Sequence, residues 1–268
     1  MSEFVYERSP LVEVVLELRW ATVPMQLAAD AKIDPHYAAF RDDMKVAASD
    51  VGFKVIEPLQ PIDFPLELRP YVPDQRFRRA AGSWPLFQIG PGIMSVNIVP
   101  PYEGWTTFRA FVKECIGLLY SNYPIADRYL KFQMLELRYI NAFDASLGFR
   151  SYYDFINTFT KMKHIIPDDV LNEITDDRAS LEGNSAIQVQ SKKNGDLIII
   201  HSGSGKKNNL PAALLNISCR QMMAMPVQLS VDHILTWVDD AHLSIRNTFE
   251  NILSNEMKRL IGPKREVA

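Results

Sequence analysis

The tetrapeptide Leu-Glu-Leu-Arg occurs at positions 16–19, 66–69 and 135–138, and the pattern around these copies restricts the fold more than any other feature. Around the first copy, Val14, Leu16, Leu18 and Trp20 alternate with Glu13, Val15, Glu17 and Arg19. A period of two places the first set on one face of a strand and the second set on the other. The third copy alternates likewise, with Phe132, Met134, Glu136 and Arg138 set against Gln133, Leu135, Leu137 and Tyr139. In either strand the Glu and Arg lie two apart and project from one face, where cross-strand partners can satisfy them. The second copy lies between Pro65 and Pro70, which limits it to an edge strand or a short extended segment. The repeat is thus expected to be a way of building strands, not a repeated active site.

Other signals fill in the order of elements. Asp34-Pro35 reads as a helix cap followed by proline at the first helical position, after which Phe40, Met44 and Ala47 keep helical spacing as far as Gly52. Prolines 58, 61, 65, 70 and 73 predict an extended connection, followed by the basic cluster Arg76, Arg78 and Arg79. Gly90-Pro91-Gly92 separates two apolar runs as a hairpin turn would. Trp105, Phe108, Val112, Cys115 and Leu119 then mark a buried helix face that Pro124 terminates. A second hairpin is expected around Lys192–Gly195, with a further strand over residues 214–222 and one long helix over 231–261, stopped by Gly262-Pro263. The fold class that follows is α+β: two antiparallel-sheet halves, each packed against a long helix, with a possible pseudo-duplication relating them. The halves cover residues 1–145 and 181–268, with a helical insertion at 146–180, all in one compact unit.

Composition bounds the chemistry. With 268 residues, 47% hydrophobic and 23% charged, the chain can bury a substantial core unaided. A net charge of -3 gives no electrostatic reason to expect nucleic acid. Two cysteines, Cys115 and Cys219, are too few for a disulfide framework or a thiolate metal site. The opening MSEFVYERSP lacks the apolar core of a secretory signal, and no apolar run approaches ~20 residues, so a cytoplasmic protein with no membrane partner is expected. His201–Lys207 imitates a phosphate-binding loop but carries Ile200 and Lys207 where glycine and serine or threonine are required. It reads instead as a mobile inter-strand loop in which Lys206 and Lys207 could hold an anion. The 5 histidines show no zinc-ligand spacing, so no metal is expected and no cofactor is implied. His242 lies on the apolar stripe of the last helix, four after Val238 and three before Ile245. It is either a core histidine bonded to a neighbouring strand or a proton-transfer group. Glu17, Arg19, Arg138 and Asn141 are polar groups in core-forming stretches, and either pair or line a cavity. A Glu17–Arg138 pair across neighbouring strands is the specific expectation, with Asn141 capping the strand end or accepting a bond from His242.

The run Pro10-Leu11-Val12-Glu13-Val14-Val15-Leu16-Glu17-Leu18-Arg19-Trp20, the strand Leu137-Arg138-Tyr139-Ile140-Asn141, and Ala241-His242 with Phe249 and Leu260-Ile261-Gly262 together resemble a sporadically distributed prokaryotic family of uncharacterised proteins. The resemblance extends over most of the chain and implies a whole-chain unit with a mobile or accessory role; an accessory or defence-type system is the expected setting. It brings no activity, substrate or catalytic residue. The leading expectation is a non-catalytic interaction or ligand-binding module with a protein partner or a small ligand, and a homo-oligomer (a homodimer) formed through an exposed sheet edge. One alternative is a hydrolase or lyase using His242 with Glu17 or Glu136 under the C-terminal helix. The other is nucleic-acid binding through Arg76, Arg78, Arg79, Lys192, Lys193, Lys206 and Lys207, which requires those loops to share a face.

Overall fold

The computed structural model describes residues 3–25, 28–60, 69–177 and 181–267; the second Leu-Glu-Leu-Arg copy, apart from Arg69, lies outside them. Strands β1 (Glu3–Tyr6), β2 (Leu11–Trp20), β3 (Val23–Met25) and β4 (Ala28–Ile33) precede helix α1 (Tyr37–Asp50). Strands β5 (Val55–Pro58), β6 (Gln75–Arg78), β7 (Leu86–Gly90) and β8 (Ile93–Ile98) lead to α2 (Trp105–Asn122) and α3 (Ala126–Tyr129). Strand β9 (Phe132–Asp144) is followed by α4 (Tyr152–Asp154), a π-helical turn at Phe155–Phe159, and α5 (Asp168–Ile174). Strands β10 (Asn184–Gln190), β11 (Leu197–Lys207) and β12 (Leu210–Val227) precede α6 (Val231–Ile252), α7 (Asn255–Leu260) and β13 (Lys264–Val267). The architecture is mixed α and β with a large antiparallel sheet, as the α+β expectation required. The chain divides into two compact units that interleave in sequence: a helix-backed unit (Val14–Leu137 and Arg220–Asp240) and a hairpin unit (Met1–Glu13, Arg138–Cys219 and Ala241–Ala268).

In the helix-backed unit, β2, β8, β7, β6 and β5 are successive antiparallel neighbours. Their register shows what Leu-Glu-Leu-Arg encodes. Leu16 pairs with Val96, Val96 with Phe87, Phe87 with Phe77, and Phe77 with Ile56. The next rung, on the opposite face, runs Glu17, Ser95, Gln88, Arg76 and Glu57. The apolar rung faces the helices: Phe87 meets Phe53 at 4.9 Å between ring centres, and Phe53 meets Phe111 of α2 at 5.9 Å. Tyr37, Phe40, Met44 and Ala48 of α1 and seven residues of α2, from Trp105 to Leu119, complete this core. Full burial of each such aromatic or aliphatic side chain stabilises by about 1.5–3 kcal/mol. In β9, by contrast, Met134, Leu135, Glu136 and Leu137 are all buried, so this strand is covered on both faces and the alternation expected there is lost.

Asp34 anchors this unit. Its carboxylate, 3% exposed, accepts from Trp20 Nε1 (2.8 Å), the Tyr123 hydroxyl (2.9 Å), the backbone N–H of His36 (3.0 Å) and the backbone N–H of Gly92 (3.2 Å). The donors come from the end of β2, the residue after α2, the residue before α1 and the β7–β8 turn. Among the described residues Asp34 pairs with no cation, so directed donors alone satisfy a buried acceptor. Asp74 is a second buried acceptor, this one with a cation: it accepts from the Tyr37 hydroxyl at 2.9 Å and pairs with Arg69 at 2.7 Å. Burial, and then the adjoining aspartates, push the hydroxyls of Tyr123 and Tyr37 well above the ordinary tyrosine range, which keeps both as donors. The Asp34-Pro35 expectation is partly met: Asp34 bonds the N–H two residues on, but α1 begins at Tyr37 without a side-chain cap.

In the hairpin unit β10, β11 and β12 are neighbours, and β1 pairs with β13. The hairpin around Lys192–Gly195 is present, with Ile187 opposite Ile200. Two expectations are corrected. Residues 201–207 are not a loop but the end of β11, joined to β12 by Asn208-Asn209, both with positive φ (51° and 65°). Asparagine tolerates the left-handed region that a tight hairpin turn needs, and this signal was available in the sequence. The helix expected over 231–261 breaks after Ile252. Lys161 N donates to Ile252 O (2.7 Å), Ser254 N donates to Phe159 O (3.0 Å), and Ser254 Oγ caps α7 by accepting from Met257 N (3.2 Å). The last residue of the π turn and the segment after it take over bonds that would have carried the helix on.

Replacing Asp34 by Ala would leave four donors, three of them buried, without their acceptor. A loss of about 3 kcal/mol or more is expected, seen by calorimetry as a Tm fall on the order of 10 °C. An unchanged Tm would remove Asp34 from its anchoring role.

Candidate ligand pocket and the buried polar groups

Most charged side chains singled out in the sequence have partners within their own unit. In the helix-backed unit Glu17 Oε1 accepts from Arg19 Nε at 2.6 Å, and the Arg19 guanidinium lies over the Tyr71 ring at 5.4 Å. Glu136, 5% exposed, takes two bonds from Arg220 at 3.0 and 3.1 Å. Arg76 and Arg78 both reach Glu57, while Arg79 forks onto the two oxygens of Glu114 at 2.7 Å and covers the Phe53 ring. The basic cluster proposed for nucleic acid is thus bound up with acids, and Arg76 and Arg78 belong to a strand.

In the hairpin unit the His242 Nδ1 lies 2.7 Å from the Tyr139 hydroxyl, and His242 is 8% exposed. Tyr139 of β9 thus meets His242 of α6. Asn141 donates to Leu215 O at 3.2 Å and not to His242. The Arg138 Nε is buried and finds no hydrogen-bond partner among the described residues. Lys207 pairs with Asp144 at 2.9 Å. Burial raises the Asp144 carboxyl, but bonds from Ser146 and Lys207 and the Lys207 charge bring it below the ordinary range. Both cysteines are buried, and burial pushes the Cys115 thiol well up, which removes it as a nucleophile at neutral pH.

The same unit contains a pocket of about 450 Å³. Phe149, Tyr152, Leu181, Pro211 and Ala212 supply its apolar wall. Arg150, Ser151, Glu182, Ser204 and Lys206 supply its polar groups. Three local features build it. Ser151 caps α4, its Oγ accepting from Asp154 N at 3.1 Å, which starts the helical turn behind Tyr152. Gly183 lies so close to the Tyr152 ring that an added Cβ would sit 2.8 Å from Cε1. Ser204 N donates to Gly183 O at 2.9 Å, and Gly183 N donates to Ser204 Oγ at 3.2 Å. The Tyr152 hydroxyl is engaged with Ser202 Oγ at 3.0 Å, so this residue presents its ring to the pocket. Of the residues expected to matter, only Lys206 lines it. Arg150, Ser151 and Glu182 were missed, since each sits singly in an irregular stretch with no periodic signal.

Among the described residues no helix is long and apolar enough to cross a membrane, and no group of three or more His, Cys, Asp or Glu is placed to hold a metal ion. No protein-family model matches the chain, and no curated protein is significantly similar to it.

The Asp144–Lys207 pair makes stability depend on pH with a definite sign. A folded value below the unfolded one stabilises the protein above the ordinary aspartate range, and this is lost as pH falls through the lowered value. Asp144→Asn should therefore flatten the acid limb of Tm against pH below about pH 4, with a constant offset from the parent protein at neutral pH. Two curves that stay parallel into acid would remove the pair as the cause.

Proposed function

We propose that this protein is a non-catalytic ligand-binding module and that the pocket of the hairpin unit is its binding site. The observation that carries this reading is the pocket itself. Its volume of about 450 Å³ falls within the roughly 300–1,000 Å³ of small-molecule sites. It also combines an aromatic and aliphatic wall with a few convergent polar groups, the usual composition of such sites.

Binding is favoured over turnover by what occupies the acid–base candidates. Glu17 is taken by Arg19, Glu136 by Arg220, and His242 by Tyr139. Within the pocket a single carboxylate, Glu182, stands beside two cations, without histidine or cysteine among the lining residues. This set can orient a ligand but lacks the paired acid and base of a hydrolytic site.

The test is native mass spectrometry of the purified protein against its Pro211→Trp variant. Pro211 is exposed at the pocket wall, so the larger ring fills the pocket without disturbing the core. A retained small molecule that is lost in the variant is the expected outcome. Retention unaffected by the variant would place binding elsewhere, and retention by neither protein would count against the reading.

A further inference from the structure

Taking the pocket as the binding site, we propose that its ligand carries an anionic head group, carboxylate or phosphate, on a small apolar body. The first observation is a contrast between neighbours. Lys206 and Lys207 are consecutive residues of β11, so they project from opposite faces. Lys207 is neutralised by Asp144, whereas Lys206 reaches the pocket and meets no acid among the described residues. Arg150, also in the pocket, likewise has no acid partner among the described residues. Elsewhere the described arginines that approach acids are tied to them: Arg19 to Glu17, Arg79 to Glu114, Arg109 to Asp239 and Arg220 to Glu136. With Glu182 counted, two cations against one acid leave the pocket one positive charge in excess.

The second observation is the hydrogen-bond state of the two serines. Ser151 Oγ accepts from Asp154 N and Ser204 Oγ accepts from Gly183 N. A hydroxyl that accepts from the backbone keeps its O–H to donate, so both serines offer donors to the pocket. A guanidinium fork, an ammonium and two hydroxyls form a donor set suited to an oxyanion. The aromatic and aliphatic wall of Phe149, Tyr152, Leu181 and Pro211 would remain unused by a bare inorganic ion, which is why the ligand has an apolar body.

The experiment measures thermal shift and calorimetric affinity for benzoate, phenyl phosphate, inorganic phosphate and the neutral benzamide at constant ionic strength. The parent protein is compared with Arg150→Ala, Lys206→Ala and, as control, Lys192→Ala in the exposed β10–β11 turn. Benzoate or phenyl phosphate should raise the Tm, with inorganic phosphate and benzamide at least tenfold weaker. Each of Arg150→Ala and Lys206→Ala should weaken the anion at least tenfold, whereas Lys192→Ala should not. Because Arg150 and Lys206 are exposed, both variants should keep the ligand-free Tm, which separates lost binding from lost folding. Benzamide binding as tightly as benzoate, with both variants unaffected, would overturn the anionic head group while leaving the pocket as a site. Inorganic phosphate matching phenyl phosphate would overturn the apolar body. Protection by none of the four overturns the ligand class. The pocket itself falls only if, in addition, no molecule is retained in a way that Pro211→Trp abolishes.

Discussion

A buried carboxylate with four directed donors is the constraint on which the helix-backed unit depends. Apolar packing is tolerant of small displacements, but a hydrogen bond weakens steeply away from its preferred distance and angle. Asp34 therefore sets the positions of the end of β2, the β7–β8 turn and the ends of α1 and α2 more sharply than their side-chain contacts could. The rings around it are arranged edge to face, with Trp20 and Tyr123 at 5.6 Å and Trp20 and Phe40 at 6.1 Å, so the donors themselves are held by the core they define. A polar group in a low-dielectric surround stabilises only when fully satisfied, and here the satisfaction is supplied by backbone and neutral side chains, not by a counter-charge.

The strands on this core sort their residues by face. The apolar rung from Leu16 to Ile56 is adjacent in sequence to the polar rung from Glu17 to Glu57, and one residue of slip would exchange the two. That gives the charged residues of the strands a structural occupation. Glu17, Arg19, Arg76, Glu57, Glu136 and Arg220 hold one another along the sheet and have little left to offer a substrate. The hairpin unit differs. There Arg150 and Lys206 are left facing a pocket, and the serines beside them have already used the backbone to orient their hydroxyls. The proposed binding role rests on this contrast.

Strand β2, both hairpins and the helix over Trp105–Leu119 were legible because each depends on a periodic pattern or turn signal several residues long, whereas β1, β3, β4, β5, β6 and β13 are too short to carry one. The β11–β12 turn carried a readable Asn208-Asn209 signal that the glycines and lysines before it obscured. The break between α6 and α7 was not legible, since Ser254 becomes a cap only when Phe159 and Lys161 arrive to bond the helix end. Asp34 was legible as a turn former; its role as an acceptor for Trp20, Gly92 and Tyr123 depends on residues up to 89 positions away.

By itself the sequence determined the faces of β2, of the helix over Trp105–Leu119 and of α6, and with them the α+β class, because burial in these elements follows local periodicity. Only the tertiary structure decided which charged groups are spent and which remain. Lys206 and Lys207 are identical in sequence terms, and the difference between them is that Asp144 lies within 2.9 Å of one and a pocket lies beside the other. Partnership between charges is a matter of distances of a few ångströms between residues far apart in the chain, and no pattern within a segment encodes it.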